Sequence, residues 1–266
     1  MDRKLALVTG ASAGIGAAFA RIFAGHGYDL ALTARRAERL ESLAEEMRLR
    51  FGVEALVLPA DLADPAAPAA LLERIAAHGR VVDALVNNAG YGLPGGYATT
   101  GWGEQARFIQ VMVTAPSELA HRVLPGMVER RFGRMVNVAS LAGLAPAAAG
   151  HSLYAASKAY LIKLSQSLHL EARAAGVHVT ALCPGFTYSE FHDVNGTRDQ
   201  VSASTPRWLW MGSDEVAAAG YAAVEANRAV CVPGVANKAL AALCKLMPDD
   251  LALAIMASQG ARFRKL

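Results

Sequence analysis

The chain has 266 residues, 53% of them hydrophobic and 18% charged, and carries a formal net charge of +3. That balance suits a buried core and excludes a disordered chain, while the small charge and the lack of a long basic run argue against a nucleic-acid partner. Cys183, Cys231 and Cys244 are scattered without a CxxC pair or metal-ligand spacing, so free thiols, no metal centre and a reducing compartment are expected.

MDRKLALVTG at the start lacks the apolar length of a secretory leader. No apolar run approaches the ~20 residues of a membrane span. A cytoplasmic protein with no integral membrane segment is expected. Lys4 to Thr9 is an apolar run bounded by charge and glycine, and reads as a buried parallel strand. Gly10, Ala11, Ser12, Ala13, Gly14, Ile15 and Gly16 follow, then an amphipathic helix to about His26. Glycines leave no side chain between backbone and ligand, and a helix N-terminus offers N–H groups and positive potential to a pyrophosphate. The spacing GxxxGxG differs from the GxGxxG fingerprint, so a purely structural strand–helix turn is the competing reading.

Tyr28 to Ala34 reads as the second strand. Ala34 stands where NAD-preferring folds carry an acid for the ribose 2′-hydroxyl, and Arg35 and Arg36 follow. Guanidinium groups there match the 2′-phosphate of NADP, although either arginine could simply be solvated at the start of helix 36–50. Val53 to Pro59 is a third strand, leading to Asp61 and Leu62. Asp61 is equally suited to an adenine amino group and to capping a helix that starts near Pro65. Val82 to Val86, a fourth strand, runs into Asn87, Asn88, Ala89 and Gly90, small and amide residues suited to the ligand crevice of an open α/β sheet.

Residues 101–131 read as mostly helical, with Pro116 and Pro125 as kinks or breaks. Strands are expected at Arg134 to Ala139 and Val177 to Cys183, the latter ended by Pro184 and Gly185. Segment 186–212 is long, irregular and aromatic, with Phe186, Tyr188, Phe191, Trp208 and Trp210, and reads as a substrate-binding lid. A helix from Ser213, a short strand at Ala229 to Val232 and two helical pieces split by Pro248 complete the pattern. The extension 236–266 mixes apolar helix with Lys238, Lys245, Arg262, Arg264 and Lys265, so packing against the domain or a subunit competes with contact at a membrane surface.

Tyr154 and Lys158 are four residues apart and share one face of a helix. A nearby ammonium favours the phenolate, which would let Tyr154 exchange a proton near neutral pH. Ser140, at the end of the fifth strand, could hydrogen-bond the same substrate oxygen. A tyrosine four residues before a lysine also arises by chance on many helices, so the pair draws its weight from the glycine-rich turn.

Together TGASAGIG at 9–16, NNAG at 87–90, Ser140, YAASK at 154–158 and PG at 184–185 resemble the short-chain dehydrogenase/reductase family over roughly residues 4–235. The resemblance implies one α/β Rossmann-like doubly wound domain over 1–266, with a seven-stranded, mostly parallel sheet ordered 3-2-1-4-5-6-7 and helices on both faces. It implies hydride transfer between NAD(P) and a carbonyl or alcohol carbon, and Arg35, Arg36 and the missing acid at Ala34 add the expectation that NADP(H) is preferred over NAD(H). Ser140 would orient the substrate oxygen, Tyr154 would be the acid/base, and Lys158 would hold the nicotinamide ribose and depress the phenol's pKa. Gly10, Ser12, Gly14 and Gly16 would cradle phosphates, with Ile15, Asp61, Leu62, Asn88, Ala89, Gly90, Pro184, Gly185 and Thr187 also on the cofactor. Ser140, Tyr91, Leu93, Leu141, Leu144, Phe186, Tyr188, Phe191, His192, Trp208 and Trp210 would line a pocket for an apolar, medium or bulky small-molecule substrate. Homodimers or homotetramers are the family habit, through helices near 101–131 and 153–175.

Two positions depart from the family. Met112 stands where an asparagine is usual; a thioether is a poor substitute for an amide. The family's proton relay uses a water on that residue's main-chain carbonyl, so an impaired or rerouted relay is expected, and a weakly active or non-catalytic NADP-binding sensor is the competing function. Ser140 and Tyr154 are 14 apart, one more than usual, with the extra residue expected within 145–150.

Overall fold

The computed structural model describes residues 3–263 except 94, 148, 151 and 191–205. Its first strand shows how the sequence builds the layers. In β1 (Leu5–Thr9) every residue is buried. Ala6 and Val8 face one core, Leu5 and Leu7 the other, as the two-residue period of a strand requires. An unbroken apolar run is therefore a strand covered on both sides.

Beside it lie β2 (Asp29–Thr33), β3 (Ala55–Val57), β4 (Ala84–Asn87), β5 (Gly133–Val138), β6 (Val177–Leu182) and β9 (Val230–Cys231), all parallel, in the order β3-β2-β1-β4-β5-β6-β9. This is the expected seven-stranded order. The last strand is ninth in the chain because β7 (Thr187–Tyr188) and β8 (Met211–Gly212) pair with each other in a separate two-stranded ladder.

Helices α1 (Gly14–Gly25), α2 (Ala37–Phe51) and α7 (Ser213–Glu225) cover one face, burying Phe19, Phe23, Leu40, Met47, Val216 and Val224. Helices α3 (Ala67–Ala77), α5 (Ala115–Glu129) and α6 (Ser152–Ala172) cover the other with Leu71, Ile75, Leu119, Val123 and Ala172. Chain order reverses between β1 and β4, and the crevice above their carboxyl ends is where such sheets take ligands.

The helical stretch from Trp102 differs from expectation. Helix α4 (Trp102–Ile109) passes into a π-helical turn, Gln110–Thr114, which passes into α5. Pro116 lies in the first turn of α5, where its missing N–H is best tolerated. Pro125 lies inside α5 and does not break it, so the irregularity sits at the π turn instead. Helices α8 (Val235–Leu246) and α9 (Asp249–Phe263) flank Pro248. Among the described residues no helix is long and apolar enough to cross a membrane.

Candidate active site

Strand β5 carries the chain directly to Ser140. Its backbone is still extended there, and its hydroxyl accepts a hydrogen bond from Ala142 N at 3.1 Å, capping the 3-10 turn Leu141–Gly143. Leu141 N donates to Pro184 O at 2.8 Å, which ties this turn to the Pro184–Gly185 turn after β6. A Cβ on Gly143 would lie 2.6 Å from the Lys158 carbonyl carbon and 2.7 Å from Ala159 N, so only glycine lets the serine turn lie against α6.

Tyr154 and Lys158 occupy successive turns of α6. The Ser140 hydroxyl hydrogen-bonds the Tyr154 phenol. Lys158, buried to 5% exposure, donates from Nζ to Val138 O at 2.8 Å and stands 5.7 Å from the Tyr154 ring centre. The hydroxyl, phenol and ammonium named from the sequence thus meet at the carboxyl end of β5. Their electrostatics differ from expectation. Burial raises the Tyr154 pKa and the Ser140 hydrogen bond only partly offsets it, while the ammonium does not depress it. Lys158 is itself lowered to about 8 by burial, with its proton directed at a backbone carbonyl.

Beneath lies a polar layer that sequence reasoning missed. Asn87 Nδ2 donates to Asn137 Oδ1 at 2.9 Å and Pro116 O at 3.1 Å, and Asn137 Nδ2 donates to Ser165 Oγ at 2.8 Å. Asn87 and Met112, with Thr9 and Lys158, line a cavity of 10 Å³, about the room one water needs. Met112 is 1% exposed, and a Cβ on Gly90 would meet its sulfur at 2.9 Å. The thioether therefore fills the space beside a glycine, in an apolar cluster with Leu62 and Phe108 that Tyr91, Leu93 and Tyr154 also join.

At the switch point the glycines have distinct tasks. A Cβ on Gly16 would fall 2.3 Å from Gly10 O, and one on Gly10 2.7 Å from Asn88 Nδ2, so both are needed for backbone packing. Gly14 takes φ +54 and faces Ser189. No side chain caps α1 and its first turn holds no acid, which leaves the positive end of the helix facing a 560 Å³ cavity beside Ser12 and Gly14. Asn88 donates to Thr9 O at 2.9 Å and Gly10 O at 3.2 Å, fastening the ends of β4 and β1 together. Thr187 is buried with its hydroxyl on Gly185 O at 3.1 Å.

The two arginines after β2 diverge. Arg35 is exposed, and its charge acts on Tyr91. Arg36 donates from Nη2 to Ser12 Oγ at 3.0 Å and pairs with Glu190 at 2.9 Å, and Arg39, one turn on, pairs with the same carboxylate. Arg39 and Glu190 were not singled out from sequence; a third arginine at helical spacing was the available signal for the first. Asp61 caps no helix: it accepts from Ala63 N at 3.0 Å and approaches Arg107 at 3.8 Å, while α3 begins later, behind Asp64.

The expected pocket wall is only partly assembled. Leu141 is buried beside Ser140, and Tyr91 packs edge-on to Phe108 in the cluster that includes Tyr154. Phe186 and Tyr188 both pack on Trp210, yet Tyr188 opens on the cavity beside Ser12 and Gly14. Trp208 is 69% exposed. Phe191 and His192 lie outside the described residues, as does most of the expected lid; β7 and β8 join its two ends. Asn237, 2% exposed, backs the Gly185 turn from α8, a contact no sequence motif announced. Among the described residues no cluster of His, Cys, Asp or Glu could hold a metal. Burial lifts the Cys183 thiol to about 12, which leaves it unsuited to act as a thiolate nucleophile.

Comparison with known proteins agrees with this fold. The family model described as short chain dehydrogenase matches residues 4–199. Sulfoacetaldehyde reductase 2 of Chromohalobacter salexigens is 36% identical over 201 residues, covering 75% of this chain and 79% of that protein. A short-chain dehydrogenase from Sphingobium yanoikuyae in complex with NADPH superposes with a TM-score of 0.79 at 34% identity, covering 92% of this chain and 96% of that one. A short chain dehydrogenase/reductase from Burkholderia phymatum in complex with NAD gives 0.79 at 26% identity, covering 91% and 92%.

Proposed function

The chain belongs to the short-chain dehydrogenase/reductase family and is an oxidoreductase acting on CH–OH or C=O groups with a nicotinamide cofactor; from that premise we propose that it uses NADP(H) on an apolar carbonyl or secondary alcohol, with Tyr154 as the acid/base. The observation that carries this is the meeting of Ser140, Tyr154 and Lys158 at the carboxyl end of β5.

When bound, the cofactor supplies or accepts the hydride at the reacting carbon. Ser140 holds the substrate oxygen beside the phenol. Tyr154 donates its proton to that oxygen in reduction and takes it back in oxidation. A phenol whose pKa is raised by burial is protonated at neutral pH, the form that donates in reduction. Lys158 holds positive charge beside the phenol, and the cavity it shares with Asn87 and Met112 has room for about one water next to the ammonium.

The backbone of Gly14, Ile15 and Gly16 receives phosphate at the positive end of α1, and Leu62, Ala89 and Gly90 flank the nucleoside. Arg36 and Arg39, with Ser12 between them and the helix, suit a 2′-phosphate, and no acid replaces Ala34. Leu141, Tyr91 and Leu93 give the substrate side an apolar lining. Exposed Trp102, Tyr160 and Leu170 on α4 and α6 support a homodimer or homotetramer through these helices.

The test is cofactor oxidation with a panel of apolar ketones and aldehydes. Turnover with NADPH exceeding that with NADH by tenfold or more in kcat/KM is expected. Equal use of both would remove the NADP preference, and tight NADPH binding with no turnover would favour a cofactor sensor.

A further inference from the structure

Glu190 follows β7 and sits more than 150 positions from the arginines it touches. Its Oε2 accepts from Arg36 Nη1 at 2.9 Å and its Oε1 from Arg39 Nη1 at 2.5 Å. These hydrogen bonds hold its carboxyl below the usual range. Arg36 meanwhile reaches Ser12 Oγ through Nη2 at 3.0 Å and Nε at 3.3 Å. The carboxylate therefore bridges two guanidinium groups at the rim of the cavity that opens on Ser12 and Gly14. The chain reaches that point because Gly14 leaves room: a Cβ there would lie 2.9 Å from Ser189 Cβ.

We propose that Glu190 is a specificity-determining residue, an internal anion that competes with the cofactor's 2′-phosphate for Arg36 and Arg39. The inference rests on the reading that these arginines hold the 2′-phosphate. One carboxylate neutralises one of two adjacent positive charges. A phosphomonoester near neutral pH carries about −1.5 to −2 and three acceptor oxygens, so it can displace the carboxylate and neutralise both. A cofactor without that phosphate has nothing to offer the arginines and leaves the Glu190 clasp closed. Glu190 thus lowers affinity for the phosphorylated cofactor selectively.

Calorimetric titration with adenosine 2′,5′-bisphosphate and with adenosine 5′-monophosphate tests this without catalysis. Glu190→Gln is expected to bind the bisphosphate roughly three- to tenfold more tightly, the scale of two exposed ion pairs, and the monophosphate within about twofold of wild type. Raising the salt should shrink the difference. Glu190→Asp, which keeps the charge, should stay nearer wild type and so separates charge from packing. Unchanged bisphosphate affinity in Glu190→Gln overturns the proposal, as does weaker monophosphate binding, which would make Glu190 a ribose ligand. Arg36→Ala separates the two readings. If it leaves bisphosphate affinity unchanged, the 2′-phosphate reading itself fails; if it weakens that affinity while Glu190→Gln does nothing, only the role of Glu190 falls.

Discussion

Lys158 shows how a buried ammonium burdens the fold. Burial lowers its pKa from 10.5 to about 8, so between those values the unfolded chain binds more protons than the folded one. Stability from this residue therefore rises with pH through that window and is fully lost below about 8. The burden at pH 7 is at most about 3 kcal/mol. Lys158→Met should leave the melting temperature at pH 7 equal or higher, flatten the rise between pH 8 and 10.5, and abolish turnover. Thermal melts across pH check this; a melting temperature several degrees lower at pH 7 would mean that the bond to Val138 O outweighs the buried charge. Tyr154, with its pKa raised by burial, has the opposite sign: its contribution is present below 10 and fades above it. The sequence placed tyrosine and lysine on one helix face, but not the direction of their titration. That direction depends on how deeply β5 and the serine turn bury them, which is a tertiary property.

Glycines and the π turn carry the site's geometry at the scale of single elements. Gly143→Ala would drive a methyl into the α6 backbone at Lys158. The expected outcome is a large fall in kcat with NADPH affinity within about twofold, because Ser140 moves while the α1 cradle does not; overpacking of this kind costs ~1–3 kcal/mol in stability. Paired kinetics and calorimetry measure it, and an unaltered kcat would detach Ser140 from the reaction. Met112→Asn places an amide in the apolar cluster beside Gly90, so a loss of ~1–3 kcal/mol is expected on denaturation. Turnover should rise with cofactor affinity unchanged; unaltered turnover would mean that the main-chain carbonyl at 112 suffices. Strands β1 to β6 were legible because their apolar runs are bounded by glycine and charge. The π turn was not, since Pro116 advertises a break and the i+5 bonding that absorbs it leaves no residue pattern. Glu190 and Asn237 were illegible for another reason: each acts on a partner far away in sequence, through contacts no local period encodes.

At the scale of the whole molecule, the proposed function needs two chemically distinct ends: one for phosphate between β1, α1 and the arginines at the start of α2, and one for the reaction between β5 and α6. Among the described residues, exposed apolar side chains include Trp102, Tyr160 and Leu170 on α4 and α6, and Leu243, Leu246, Leu251 and Leu253 on α8 and α9. Light scattering is expected to give a dimer or tetramer; a monomer at micromolar concentration would remove the α4–α6 assembly. The α8–α9 surface is expected to pack within the protein or its assembly, so sedimentation with anionic vesicles should leave the protein in the supernatant. The central claim is that the Tyr154 phenol moves the proton while the rest of the crevice binds. The most direct measurement compares Tyr154→Phe with wild type for NADPH affinity and for kcat on the best ketone of the panel. The account predicts unchanged affinity and a loss of roughly 10²–10⁴-fold in kcat. A Tyr154→Phe protein that turns over as fast as wild type would contradict it.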